Sequence, residues 1–595
     1  MNQAGEPVSP FDLRAMKFDL PWSSYRGGGV MTQHIETCRR PQFWDRLLDM
    51  LAGNGFNTLT LWNLHPFIYM FRPKGFEQAC ALPDQDLERW QELHRQIFAG
   101  AQQRGIRTFL VFWNVFTGPE PDRSAFERLS GQEYHLGPPN LADWVGPYTR
   151  QCVKQVIDEY PDLDGLGFAL GERMVGMSAH ESVKWIEDWV IGGMRDASRP
   201  VEMLYRAPFG AGASLIRKSI ERLDWPEKVY VEVKYNWSHG HSIPQLAMTH
   251  AVHQRGQTNA CLWDPPPTAY RIAWTVRNED FFALDWGEPD FVRAHIAENN
   301  HPYTGGYIIG SEGMIPAMEF ACDSDQPRSW DYAFERQWLF WTVWGRLLAD
   351  PDTPDAVFQA AFDSRYQPGL GEHMLQAWRL ASRMPLRLAS LYGATWDYTL
   401  YSEGFCSPFA SSPSHDDATP LITVDELIDQ PVLDPSFVGI AQFVQSGCPE
   451  DLDDGKVSPA QLAATSHAEA RTVIEILDYL PESVANNQLA YDLEIVQLRA
   501  WGLLSLYLAA KIRAAIALAR FRTGGQERHG MDAVKELQLA QGIWRDLSWM
   551  TDQQYPVMPY IDRAASDYRF DFHWANLLDD VRAETDRVRA EVILD

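Results

Sequence analysis

The chain is short of cysteine and of positive charge, and each shortage closes off a class of protein. Seven cysteines (Cys38, Cys80, Cys152, Cys261, Cys322, Cys406 and Cys448) are scattered over 595 residues and never form a CxxC pair. An odd, dispersed set supports neither a disulfide framework nor a zinc site, and reads as buried thiols in a reducing compartment. Lys and Arg number 52 against 80 Asp and Glu, a net charge of −28. Such a surface repels phosphate backbones and argues against nucleic acid as a partner. No long apolar run is free of charge: the most apolar stretch, Trp501 to Phe521, carries Lys511, Arg513 and Arg520. A bilayer-crossing helix rarely tolerates three such residues, so no membrane association is expected. The start, Met1-Asn-Gln-Ala-Gly-Glu-Pro7, has neither a basic nor an apolar leader segment, which points to a cytoplasmic protein. No GxGxxG opens a helix, because Gly27-Gly28-Gly29 runs straight into Val30-Met31; this disfavours dinucleotide binding.

What the chain does have is a repeated unit, a β-type apolar run followed by a helical stretch. The spacing predicts strands at Tyr25 to Met31, Phe56 to Asn63, Arg107 to Phe116, Leu163 to Gly171, Val201 to Arg206, Lys228 to Asn236, Tyr270 to Asn278 and Tyr303 to Ser311. Helical patterns fill the gaps, among them Pro41 to Ala52, Asp86 to Gln103, Trp144 to Glu159, Ser182 to Arg195, Ala213 to Leu223, Pro244 to Gln254 and Pro289 to Glu298. Strict alternation implies parallel strands with helical crossovers, and eight units close a barrel. For the seventh strand, Asn259 to Trp263 competes with Tyr270 to Asn278. After Trp330 the pattern is helical. The expected fold is therefore α/β: a (β/α)8 TIM barrel over 25–349, behind a 1–24 extension and ahead of an α-helical C-terminal domain over 350–595.

In such barrels chemistry sits where the strands end. The fourth run stops on Glu172-Arg173, and its small residues Gly165, Gly167, Ala169 and Gly171 suggest room just below Glu172. A carboxyl group in a partly dry pocket can be held protonated and donate its proton to a glycosidic oxygen. The sixth run, Val229-Tyr-Val-Glu-Val-Lys-Tyr-Asn236, alternates, so the valines would meet the helices while Tyr230, Glu232, Lys234 and Asn236 line the interior. Glycoside hydrolysis needs a second carboxylate, with a separation that distinguishes nucleophile from base. Glu232, Glu279 and Glu312 are the candidates taken forward, with Asp280, Asp285 and Glu288 also near strand ends. Arg26, Arg173, Arg206, Lys234 and Arg277 gather cations from five units of an acidic chain, which suits a ligand carboxylate. Trp62, Trp113, Asn114 and Trp286 stand near strand ends, where rings stack on sugars and amides bind hydroxyls. His239 and His241 lack an acidic partner at ligand spacing, so no metal or other cofactor is expected.

On these residues the chain resembles the α-glucuronidase barrels of glycoside hydrolase family 67 and, more distantly, family 115. The shared order is a barrel, an acid after the fourth strand (Glu172), a sixth strand ending in Lys234-Tyr235-Asn236, and a helical C-terminal domain. Those enzymes carry a β-sandwich ahead of the barrel, and an acidic base beyond the sixth strand that Asn236 to Ser242 does not supply. The resemblance implies that Glu172 is the general acid; Lys234, Tyr235, Asn236 and His239 are also expected in the substrate site.

The expected activity is hydrolysis of a uronic-acid-containing oligosaccharide. Two alternatives remain: β-elimination on a uronate with Tyr235 or His239 as base, or a carbohydrate-binding barrel without catalysis. The helical domain would serve as a homodimer interface or as a lid over the barrel mouth.

Overall fold

A computed structural model describes residues 9–22, 29–80, 82–112, 145–169, 177–207, 212–236, 243–249, 257–276, 283–311, 315–322, 328–392, 402–407, 419–450, 452, 455–558 and 571–594. Eight parallel strands close a barrel in sequence order: β1 (Leu13–Asp19), β2 (Thr58–Asn63), β3 (Arg107–Phe112), β4 (Gly165–Ala169), β5 (Glu202–Arg206), β6 (Val229–Lys234), β7 (Arg271–Val276) and β8 (Thr304–Ile309). Seven lie where the alternation places them, and the Tyr270 alternative for the seventh is the one observed. Residues Ala260–Leu262 form a short 3-10 turn instead.

The first strand is a correction. Tyr25 to Met31 was expected, but β1 lies at Leu13–Asp19, and Gly29–Cys38 is helical. The barrel thus begins inside the segment assigned to an extension. Leu13 and Ala15 pack inside with Phe109, Val111 and Leu204, whereas Met16, Phe18 and Leu20 join the layer between strands and helices. Lys17 and Asp19 break this apolar run, and buried charge is costly unless paired, so the strand does not look like one. A second correction concerns Pro244 to Gln254: described residues 243–249 hold bends and an antiparallel bridge, Tyr235 to Thr249, but no helix.

The interior beneath the mouth is filled. A Cβ added to Gly165 would sit 2.3 Å from the Phe109 ring, and one added to Gly167 would sit 2.8 Å from Val111. These glycines make space that neighbouring strands occupy, not the free room anticipated under Glu172. At the N-terminal end a charged network seals the cylinder. Arg107 donates to Glu202 at 2.7 Å and to the Asp12 carbonyl at 2.6 Å. Asp12 in turn accepts from the Tyr230 hydroxyl and, at 2.9 Å, from Lys228.

Beyond the barrel the described chain is helical. The 37-residue helix Gln488–Gly524 is long and apolar enough to cross a bilayer, yet 78% of its most apolar window is buried inside the protein. It packs between helices Pro459–Tyr479 and Glu527–Thr551. Its Lys511 is fully buried, paired with Glu584 at 2.6 Å and bonded to the Ile422 carbonyl at 2.8 Å.

Candidate active site

The C-terminal halves of five strands bring polar side chains together inside the cylinder. β1 supplies Lys17 and Asp19, β2 Trp62, β5 Arg206, β6 Glu232 and Lys234, and β7 Thr275; none is more than 5% exposed. Strand register sets them side by side: Asp19 pairs with Trp62, Arg206 with Glu232, and Lys234 with Thr275. Three cations and two carboxylates thus share a dry volume, an expensive arrangement that requires partners or a ligand.

Glu232 is the centre of that geometry. Its Oε1 accepts a 2.6 Å hydrogen bond from the Thr275 hydroxyl and lies 3.9 Å from Arg206 Nε. Its Oε2 is buried with no hydrogen-bond partner among the described residues. A desolvated carboxylate oxygen costs on the order of 1–3 kcal/mol to leave unsatisfied, so Oε2 is a place where a water or a ligand group would bond.

Trp62 does not serve as the stacking platform anticipated for it. Lys17 Nζ lies 3.8 Å from its ring centroid and the Arg206 guanidinium 5.1 Å, so cations cover a ring that is itself 0% exposed. Its indole N–H is held by Thr60 at 2.9 Å, which fixes the ring as a brace for both cations.

Four of the predicted site residues therefore meet: Trp62, Arg206, Glu232 and Lys234. Three others are placed elsewhere. Tyr235 shares the parity of Val229, Val231 and Val233 and points into the outer layer, its ring 4.4 Å from His295. Its hydroxyl donates to the Pro244 carbonyl and accepts from Asn299 at 3.1 Å, and burial pushes its pKa well above the ordinary value. A phenol so placed cannot act as a base in the barrel. Asn236 has a left-handed backbone (φ 43°), and its side-chain oxygen accepts from the amides of Ala247 and Met248 at 2.7 and 3.2 Å. It ties the following loop to β6. Trp286 donates to the Ser382 carbonyl at 2.9 Å and packs on Phe291 and Phe340, between barrel and helical region. Arg26, Trp113, Asn114, Glu172, Arg173, His239, Arg277, Glu279 and Glu312 lie outside the described residues.

Lys17, Asp19 and Thr275 were missed. Alternation in Leu13-Arg-Ala-Met-Lys-Phe-Asp19 could have revealed the first two, since they continue the Leu13 and Ala15 face. Nothing local marks Thr275, because its role depends on which strand lies beside β7.

The segment after β7 rests on the helical region. Glu403 accepts from the amides of Ala283 and Leu284 at 3.1 and 2.8 Å. Gln497 accepts from the Asp285 amide at 2.9 Å, and Trp501 donates to the Asp285 carbonyl at 2.8 Å. Arg336 bridges Asp285 at 2.5 Å and, from beyond β8, Glu319 at 2.6 Å. Burial raises the Asp285 carboxyl to about 6 even though Arg336 opposes the shift. Glu288 caps the helix Pro289–Asn299 and pairs with Arg383 at 3.4 Å. Both acids are structural, and the helical region acts as a brace for the chain leaving β7 and β8. Among the described residues no group of three or more His, Cys, Asp or Glu side chains could hold a metal.

No family model matches the chain, and no curated protein matches it by sequence. A solved GH138 enzyme targeting pectin rhamnogalacturonan II superposes with a TM-score of 0.79 at 16% identity, covering 99% of this chain and 84% of that one. At that identity the shared property is the fold, a barrel followed by a helical region. An O-GlcNAc hydrolase of Thermobaculum terrenum aligns over 97% of this chain and 94% of that chain at 10% identity, with a TM-score of 0.40.

Proposed function

We propose that the protein is a glycoside hydrolase acting on an oligosaccharide that contains a uronic acid, with α-glucuronidase-like cleavage as the specific form. The observation that carries this reading is Glu232, a buried carboxylate with one oxygen hydrogen-bonded and the other without a hydrogen bond among the described residues, set among Lys17, Arg206 and Lys234 at the C-terminal end of a closed barrel. Cations gathered in a dry site on an acidic protein suit a substrate carboxylate. The likeness to a GH138 enzyme targeting pectin rhamnogalacturonan II supports the reaction class and a pectin-type substrate.

In this reading Glu172 protonates the departing glycosidic oxygen. Glu232 is favoured over Glu279 and Glu312 as the second carboxylate, supported by its Oε2 having no hydrogen-bond partner among the described residues. Arg173 and Arg277 join the described cations in holding the uronate. The test is turnover by Glu172→Gln of a uronic-acid-containing oligosaccharide, whose sugar leaving group needs a proton, beside 4-nitrophenyl glucuronide and galacturonide, whose leaving group does not. Loss of turnover is expected for a substrate whose leaving group needs protonation, and undiminished rates on a natural oligosaccharide would remove Glu172 from the mechanism.

A second reading has one observation in its favour. Glu232 and Arg206 are 0% and 1% exposed, as a pair that only fills the barrel would be, leaving a carbohydrate-binding scaffold or chemistry carried by Glu172, Glu279 and Glu312. β-Elimination keeps only His239 as base once Tyr235 is placed outside the barrel. Products absorbing as unsaturated uronates would favour elimination; saturated sugars exclude it.

A further inference from the structure

We infer that Thr275 is a positioning residue for the reaction, holding Glu232 by Oε1 so that Oε2 is the oxygen that reacts. This rests on the reading of Glu232 as the second carboxylate. Register places Thr275 beside Lys234, one pleat nearer the C-terminal end than Glu232, whose own neighbours are Arg206 on β5 and Ala273 on β7. The small Ala273 leaves the Glu232 side chain free to lean toward β7, where the Thr275 hydroxyl meets Oε1 at 2.6 Å. Arg206, from the opposite neighbour, approaches that same oxygen at 3.9 Å. Both described partners therefore act on one oxygen, while the other is buried and has no hydrogen bond among the described residues.

Such division is what a working carboxylate requires. A carboxylate bonded equally at both oxygens is stabilised as a ground state and resists attack or proton uptake. One anchored at a single oxygen keeps its orientation while the second oxygen remains nucleophilic and basic. Two balanced steps are open to Oε2. It bonds to the anomeric carbon as the glycosidic C–O bond breaks and the leaving oxygen takes the proton of Glu172. Alternatively, it accepts a proton from a water whose oxygen bonds to the anomeric carbon, as the glycosidic C–O bond breaks and the leaving oxygen takes the proton of Glu172. In either step the Thr275 donor stabilises the ionised carboxylate beforehand and sets the direction in which Oε2 points.

The experiment compares Thr275→Val, Thr275→Ser and Glu232→Gln on whichever 4-nitrophenyl uronide the wild type hydrolyses. Thr275→Val should lower kcat about 10- to 100-fold, the range for a hydrogen bond to a charged group, with KM within about twofold. Losing a donor to the ionised form should also move the acidic limb of the kcat/KM profile upward by about one pH unit. Thr275→Ser should return kcat to within about threefold of wild type. In the Glu232→Gln background Thr275→Val should lower kcat no further, because one residue acts through the other. Should Thr275→Val not fold, Thr275→Ser carries the test, and a tenfold loss of kcat in that hydroxyl-retaining variant would overturn the proposal. A Thr275→Val enzyme with wild-type kcat and an unmoved acidic limb would also overturn it. Full turnover by Glu232→Gln, or hydrolysis of no uronide by the wild type, would instead remove the reading on which the proposal rests.

Discussion

The two ends of the barrel are both charged, yet they are finished differently. At the N-terminal end, Arg107 binds Glu202 and the Asp12 carbonyl, while Asp12 takes up Tyr230 and Lys228. Burial alone would raise the Asp12 carboxyl, but the Tyr230 hydroxyl and the Lys228 ammonium outweigh it and hold it below the usual range. That end is a seal. At the C-terminal end the Glu232 carboxylate is fully buried but, among the described residues, hydrogen-bonded through one oxygen only. A seal gains from completing every hydrogen bond, whereas a reacting group must keep one position open for what it acts on.

The sharpest way to break this comparison is to neutralise each end in turn. Glu232→Gln should lower kcat about 10³-fold, within the span of lost acid–base or nucleophilic function, while the thermal midpoint moves by no more than about 4 °C. An enzyme that keeps its rate would make both ends structural. Arg107→Ala should show the opposite signature. Removing one partner of a largely buried pair strands Glu202 and should cost about 3 kcal/mol in urea unfolding, with kcat per folded molecule unchanged. A fall in kcat with no loss of stability would contradict the assignment of that end as a seal.

The smallest expected effect is on pH dependence. His34 follows β1 and accepts from the Met318 amide at 3.1 Å; His65 follows β2 and meets the Tyr148 hydroxyl at 2.6 Å. Burial lowers both imidazoles to about 3. The unfolded chain, with histidine near 6.5, binds protons that the folded chain refuses, so stability falls as pH drops from about 6.5 toward 3. Between pH 7 and 6 each histidine should cost roughly 0.7 kcal/mol. Urea unfolding at the two pH values measures it, and His65→Asn should remove its share of the slope. A slope of the reverse sign would show that these rings are charged in the folded state.

Much of the fold was legible because the period of two along a strand and the alternation of strand with helix are local properties. Seven strands lie where the apolar runs are, and Glu232 and Lys234 fall on the interior face of β6 as alternation required. The same parity places Tyr235 with the valines, so its assignment to the substrate site followed the likeness of Lys234-Tyr235-Asn236 to α-glucuronidases rather than the strand's own pattern. Lys17 and Asp19 were hidden because charges inside an apolar run weaken the run as a strand signal.

Chain chemistry alone thus determined a parallel eight-stranded architecture, a helical second half and an interior row of charge on β6, since each depends on neighbours within a few residues. Only the tertiary structure decided where the barrel begins, that the glycines of β4 make space for Phe109 and Val111, and that the chain leaving β7 rests on Glu403, Gln497 and Trp501. It also decided that Thr275 and Arg206 share one oxygen of Glu232. Those outcomes depend on which strands are neighbours and how they are staggered, and hydrogen bonds made across tens to hundreds of residues leave no periodic trace along the chain.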